Sequence, residues 1–218
     1  MQHMRDVLSA DTDRSTDESF VRVLDTRLDD DGVLSALVAL HGRPTQKVVD
    51  RSLALCASAV SAERCIGLRV LRELEHPHTD GARRWEGIEP TVLRLAVTDD
   101  DPDVVGWAIS CLGYQAEGPE ALAAVLGHAD HEDDNVRFRV AAALPFLAGE
   151  PKPHPAAVEA LKRLADDPDP TVRSYALMGL IGDLGLLDEI LSIVQAHLAD
   201  PDDQIRDYCR MALNGEQV

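Results

Sequence analysis

Between Leu164 and Gly182 the chain reads Leu-Ala-Asp-Asp-Pro-Asp-Pro-Thr-Val-Arg-Ser-Tyr-Ala-Leu-Met-Gly-Leu-Ile-Gly, and weaker copies recur on both sides. The segment is a helix end, an acidic turn and a second helix. Aligned on Glu63, Val104, Val136, Val172 and Ile205, the second helices carry leucine eight positions later without exception, at Leu71, Leu112, Leu144, Leu180 and Leu213. Four positions after the anchors stand Gly67, Ala108, Val140, Ala176 and Cys209, all small or apolar. These positions share one helix face, and a narrow centre lets another helix approach closely. The anchors recur about every 32 to 41 residues, the period of stacked helical hairpins. One hairpin cannot bury its apolar face alone, so the pattern predicts a continuous stack.

The turns repeat as well. Asp99 to Asp103, Asp130 to Asp134, Asp166 to Pro170 and Asp200 to Asp203 each precede a second helix. Aspartate there accepts the unpaired N–H groups and complements the helix dipole. Arginine follows the anchor at Arg64, Arg137, Arg173 and Arg206, with Val105 as the exception. An arginine so placed can reach the aspartate of an adjacent turn, giving a ladder of charge pairs. Ser58 and Ser61 are candidate caps for the helix starting near Ala62, Asp29-Asp30-Asp31-Gly32 reads as a break, and Gly182 and Gly185 read as stop signals.

The signature Asp-Pro-Asp-x-x-Val-Arg-x-x-Ala-x-x-x-Leu, best preserved from Asp167 to Leu180, resembles HEAT repeats. The short hairpins are most similar to the bacterial type shared with phycobilin lyases. The resemblance covers roughly residues 33–215 and implies an all-α α-solenoid of about five hairpins, whose second helices line a concave, protein-binding surface. Residues 1–16 read as a polar tail and 17–218 as a single repeat domain. The resemblance also raises iron enzymes that use His-Glu pairs on successive repeats, but only His131-Glu132 has that form. A glycosylase-like fold needs a basic groove, which this composition opposes.

Two surfaces are candidates for function. Three, six and ten positions after the anchors come Trp107, Arg139, Tyr175, Tyr208, Met178, Met211, Tyr114 and Phe146, on a face turned away from the core stripe. Aromatic, methionine and arginine enrichment is typical of an interaction surface, although packing between adjacent second helices accounts for it equally. Pro145 removes a helix hydrogen bond and should bend that helix near its end; with the proline-rich loop to Pro155 it either widens the groove beside Phe146 or simply terminates the helix. The second surface is an acidic edge of Asp101, Asp103, Asp133, Asp134, Asp167, Asp169, Asp202 and Asp203, explained by capping alone or by docking of a basic protein.

Composition narrows the function further. Aromatic residues are only 4%, so the core must rest on Leu, Ala and Val. A net charge of -18 argues against nucleic acid and anionic membranes, which need clustered Lys and Arg. Cys56, Cys65, Cys111 and Cys209 lack metal-site spacing and read as reduced thiols. No signal-like or spanning apolar run is present, and the expected location is cytoplasmic. His76, His78 and Asp80, or His128 and His131, are weak metal candidates; no metal or cofactor is expected. No nucleophile elbow or phosphate loop is legible. The expected function is a non-enzymatic protein-interaction module or adaptor, with another protein, basic in one version, as partner. The alternatives are a small-molecule-holding lyase or chaperone-like protein and an acidic inhibitor of a basic toxin or nuclease.

Overall fold

A computed structural model describes residues 15–25, 30–74, 85–149 and 151–216. Among them every regular element is helical. Helix α1 covers residues 15–23, followed by α2 (Asp30–His41), α3 (Gln46–Leu55), α4 (Ser61–Arg72), α5 (Ile88–Thr98) and α6 (Pro102–Gln115). The series continues with α7 (Pro119–Leu126), α8 (Asp134–Leu147), α9 (Pro155–Leu164), α10 (Pro170–Met178), α11 (Leu191–Ala196) and α12 (Asp203–Leu213). A π turn, Gly179–Asp183, extends α10, and 3-10 turns at Leu187–Ile190 and His197–Ala199 flank α11. The fold is an α-solenoid, and the chain divides into two compact units, Met1–Leu95 and Ala96–Val218.

In the first unit α3 packs on α4 and α2 on α4. Val48, Val49, Leu68 and Leu71 are fully buried there, with Phe20 and Leu40. Gly67, the smallest of the central residues, explains the closeness of α3 and α4. A Cβ at this position would lie 2.6 Å from the Ser52 carbonyl oxygen and 2.9 Å from Cys56 Sγ. In the second unit α7 packs on α8, α9 on α10 and α11 on α12, while the second helices α6, α8, α10 and α12 contact one another in order. The core stripe is where the leucine pattern places it: Val104, Ala108, Leu112, Val136, Val140, Leu144, Val172, Ala176 and Leu180 are all fully buried. Gly113 allows α6 to meet α8, since a Cβ there would stand 3.0 Å from Ala143 Cβ.

Several local expectations are corrected. Asp30 to Gly32 do not break the chain; they form the first turn of α2. The N-cap of α4 is Val60, without a side-chain cap bond, and Ser61 is already helical. Ser58 instead accepts from the Val60 N–H at 3.1 Å and donates to Glu63 at 2.5 Å. Gly182 lies inside the π turn, which ends at Asp183; Gly185 follows with a φ of +64°, a left-handed conformation. Thr16 is buried within α1. The remaining tail, Asp29 and the connector bearing His76, His78, Asp80, Arg83 and Arg84 lie outside the described residues.

The cysteines Cys56, Cys111 and Cys209 are buried and Cys65 is half-buried, all as free thiols. Burial pushes the Cys56 thiol up to about 12 and the Cys209 thiol up to about 11. Such thiols carry almost no thiolate at neutral pH and are poor nucleophiles.

Gly67→Ala tests the close approach of α3 and α4. An exposed helical Gly→Ala change gains about 1 kcal/mol, whereas overpacking costs about 1–3 kcal/mol. With a backbone oxygen only 2.6 Å away the second effect is expected to dominate. Urea unfolding should show net destabilisation.

Candidate functional site

The acidic turns are built by one repeated clamp. Asp101, Asp133, Asp169 and Asp202 are N-caps, each accepting from a backbone N–H in the first turn of α6, α8, α10 or α12. Two residues earlier, Asp99, Asp167 and Asp200 accept from the N–H groups of those caps at 3.1, 2.9 and 2.8 Å. The arginine after each anchor then grips its own turn. Arg137 Nη1 donates to the carbonyls of His131 and Glu132, Arg173 Nη1 to those of Asp167 and Pro168, and Arg206 Nη1 to those of Asp200 and Pro201. Arg64 does the same with Ser58 and Ala59 in the first unit.

The opposite edge of the same guanidinium reaches the next repeat. Arg137 donates to Asp167 at 2.6 and 2.9 Å, and Arg173 to Asp200 at 2.9 and 2.8 Å. Both pairs are bidentate and largely withdrawn from solvent, with side-chain exposures of 10% and 4% for Arg173 and Asp200. Desolvation alone would raise the two carboxyl pKa values. Hydrogen bonds from the arginine and from the cap N–H outweigh it and hold both below their ordinary 3.8. The departure at Val105 now has a counterpart: at the matching place in the next turn stands His131, not aspartate. His131 Nδ1 accepts the Asp133 N–H at 3.1 Å, so it keeps the turn while no guanidinium arrives. Histidine serves at two further seams: His128 Nε2 meets the Ala96 carbonyl and His197 Nε2 the Ala165 carbonyl, both at 2.8 Å.

The acidic edge is therefore partly internal. Asp167 is buried and paired, so it is not a surface charge, and the same holds for Asp200. Asp101, Asp133, Asp169 and Asp202 are half-buried caps, whereas Asp103, Asp134 and Asp203 are exposed. Asp203 is engaged by Arg206, and Asp103 accepts from Asn135 Nδ2 at 3.5 Å.

The aromatic face divides in a different way. Trp107, Arg139 and Tyr208 are half-buried. The Arg139 guanidinium lies 3.9 Å from the Trp107 ring centre and 5.1 Å from that of Phe138. Its stem passes over Gly106, where a Cβ would stand 3.4 Å away. This group is packing between α6 and α8. Tyr208 reaches towards the π turn, with its hydroxyl 3.7 Å from the place of a Cβ on Gly182. Burial and the neighbouring Asp183 charge push its pKa up to about 12.

Tyr114, Phe146, Tyr175, Met178 and Met211 stay open, at 49, 58, 39, 43 and 38% exposure. They link successive second helices: Tyr114 and Phe146 are 5.6 Å apart between centroids, and Phe138 meets Tyr175 edge-on at 4.6 Å. Phe138 was missed by the spacing because it stands two, not three, positions after its anchor. Beside Phe146 lies a cavity of about 600 Å³ lined by Pro145, Phe146, Gly149, Pro151, Pro153, Asp183 and Leu184. Among the described residues no group of three or more His, Cys, Asp or Glu could hold a metal ion. Nor is any described helix long and apolar enough to cross a membrane.

Asp200→Ala is expected to destabilise the fold by about 3–5 kcal/mol at neutral pH, because the Arg173 charge is left buried and unpaired. Asp203→Ala, at an exposed pair, should cost no more than about 1 kcal/mol. The folded Asp200 carboxyl titrates below its unfolded value, so its stabilisation is complete above the ordinary aspartate range and is lost as pH falls through the folded value. Denaturant melts of wild type and Asp200→Ala should therefore converge only once the pH has fallen well below the ordinary aspartate range.

No family model and no curated protein matches the chain. Solved structures do. YibA from Escherichia coli superposes with a TM-score of 0.72 at 18% identity, over 94% of this chain and 73% of YibA. An engineered protein gives 0.58 at 18%, over 94% and 97%. A designed armadillo repeat protein in complex with the peptide (KR)4 gives 0.53 at 12%, over 92% and 98%. At such identities the likeness speaks for the fold alone, and that fold is a helical-repeat α-solenoid.

Proposed function

We propose that the chain is a non-enzymatic protein-interaction module of the HEAT-like kind, holding a basic segment of another protein along the second helices of residues 96–218. The observation that carries this reading is the row of open side chains Tyr114, Phe146, Tyr175, Met178 and Met211 on consecutive helices. Large apolar groups that remain exposed while their neighbours on the same face are packed away form a contact surface at low ordering cost. The basic character of the partner rests on charge: the chain carries -18, and the exposed aspartates border the same helices. The designed armadillo protein holds an alternating Lys-Arg peptide, and a similar stack of helices has the geometry for an extended basic segment here. Inhibition of a basic toxin or nuclease would be this recognition put to a particular use.

Fluorescence anisotropy with labelled (KR)4 and an acidic peptide of equal length tests the reading. The basic peptide is expected to bind saturably and more weakly as salt rises, while the acidic peptide does not bind. Tyr175→Ala combined with Met178→Ala should weaken binding by about tenfold or more while leaving helical content unchanged by circular dichroism. Salt-insensitive binding, or affinity unaffected by the double substitution, would overturn it.

A further inference from the structure

The cavity at the end of α8 is lined by proline on two sides. On one side Pro145 is buried against the π turn, so tightly that a Cβ on Gly179 would fall 2.7 Å from Pro145 Cγ. On the other side the loop leaves α8 through Gly149 at φ +83°, and is closed where the His154 N–H donates to the Ala148 carbonyl at 2.7 Å. His154 then caps α9 through Nδ1. Pro151 and Pro153 complete that wall. Prolines offer no N–H, so these surfaces have apolar rings and few donors.

The π turn sets the third wall. Its bond from the Leu184 N–H to the Gly179 carbonyl, 2.9 Å, spans five residues where an α-helix would span four. The inserted residue turns the following side chains by about 100° relative to α-helical continuation. Asp183 and Leu184 thus line the cavity together with Phe146. Among the described residues Asp183, which is exposed, supplies the one carboxylate of that lining and forms no ion pair.

We infer that this cavity is a subsite for an arginine side chain of the partner segment, with the guanidinium held between the Phe146 ring and the Asp183 carboxylate. The proline rings of the lining suit the methylene stem, and an aromatic face beside a carboxylate suits a planar cation better than an ammonium. The chain contains its own example about two helical turns back along α8, where Arg139 lies over Trp107. A volume of about 600 Å³ admits the side chain together with adjoining backbone. The inference rests on the docking reading above and fixes where one residue of the bound segment sits.

Two measurements separate the two readings. In a ¹⁵N spectrum, N-acetyl-arginine amide should shift the amides of Gly149, Gly182, Asp183 and Leu184 saturably in about the millimolar range, whereas N-acetyl-citrulline amide should not. Asp183→Asn should abolish the shifts without altering the thermal midpoint. For the peptide, replacing arginine by citrulline in (KR)4 should cost wild type about tenfold and cost Asp183→Asn much less. If the peptide binds but citrulline and Asp183→Asn have no effect, the subsite is wrong and docking stands. If arginine amide shifts these resonances but the peptide does not bind, docking falls and the cavity remains an arginine site. If arginine and citrulline amides shift the same resonances equally, the charge recognition is refuted.

Discussion

The arginine clamp is the interaction on which the second unit depends. One guanidinium ties the two carbonyls of its own turn with Nη1 and the carboxylate of the next turn with Nε and Nη2. Those carbonyls lie in the turn before the helix, outside its hydrogen-bond ladder, and the carboxylate would otherwise be desolvated without compensation. Each group answers the other's cost, which is why a charge pair this buried can persist in a stack of small hydrophobic residues. The clamp also fixes register. Two bidentate bonds admit little sliding, so α8, α10 and α12 are held where the face of α8 meets that of α10.

That register decides which side chains remain open. Gly106 and Gly113 let α6 and α8 approach, and Arg139 is drawn across the seam onto Trp107. Further along, Tyr114 and Phe146 meet only at their rings and keep half their surface free. The π turn after α10 belongs to the same logic. Pro145 occupies the space that a side chain at position 179 would need, Gly179 is the residue able to accept it, and the π turn that begins there carries Asp183 to the edge of the cavity.

The sequence showed the architecture well and the surface only partly. Leucine at a fixed offset from each anchor marks the buried stripe because burial demands the same residue in every copy. The arginine ladder was legible from charge spacing, including its gap at Val105. Its register was not, since charge spacing does not tell which aspartate of the next turn meets the arginine; it is the one two residues before the cap, Asp167 or Asp200. Asp167 was accordingly read as surface charge, although it is buried. Offset alone also could not divide Trp107 and Arg139, which pack on each other, from Tyr175 and Met178, which stay exposed. That difference is set by neighbours on another helix. Asp183 was invisible because a π turn has no periodic signature.

The paired departure of Val105 and His131 has a consequence for how such a chain can change. At the clamped seams the repeats are interchangeable parts, each offering a carboxylate backward and a guanidinium forward. At this one seam the parts carry a different fitting. Deleting or duplicating a single repeat across it would set a guanidinium against an imidazole, or leave a buried carboxylate facing valine. Recombination within the array is therefore confined to one side or the other of residue 131. The seam acts as a reading-frame mark, keeping the order of the repeats and with it the order of the exposed rings along the face.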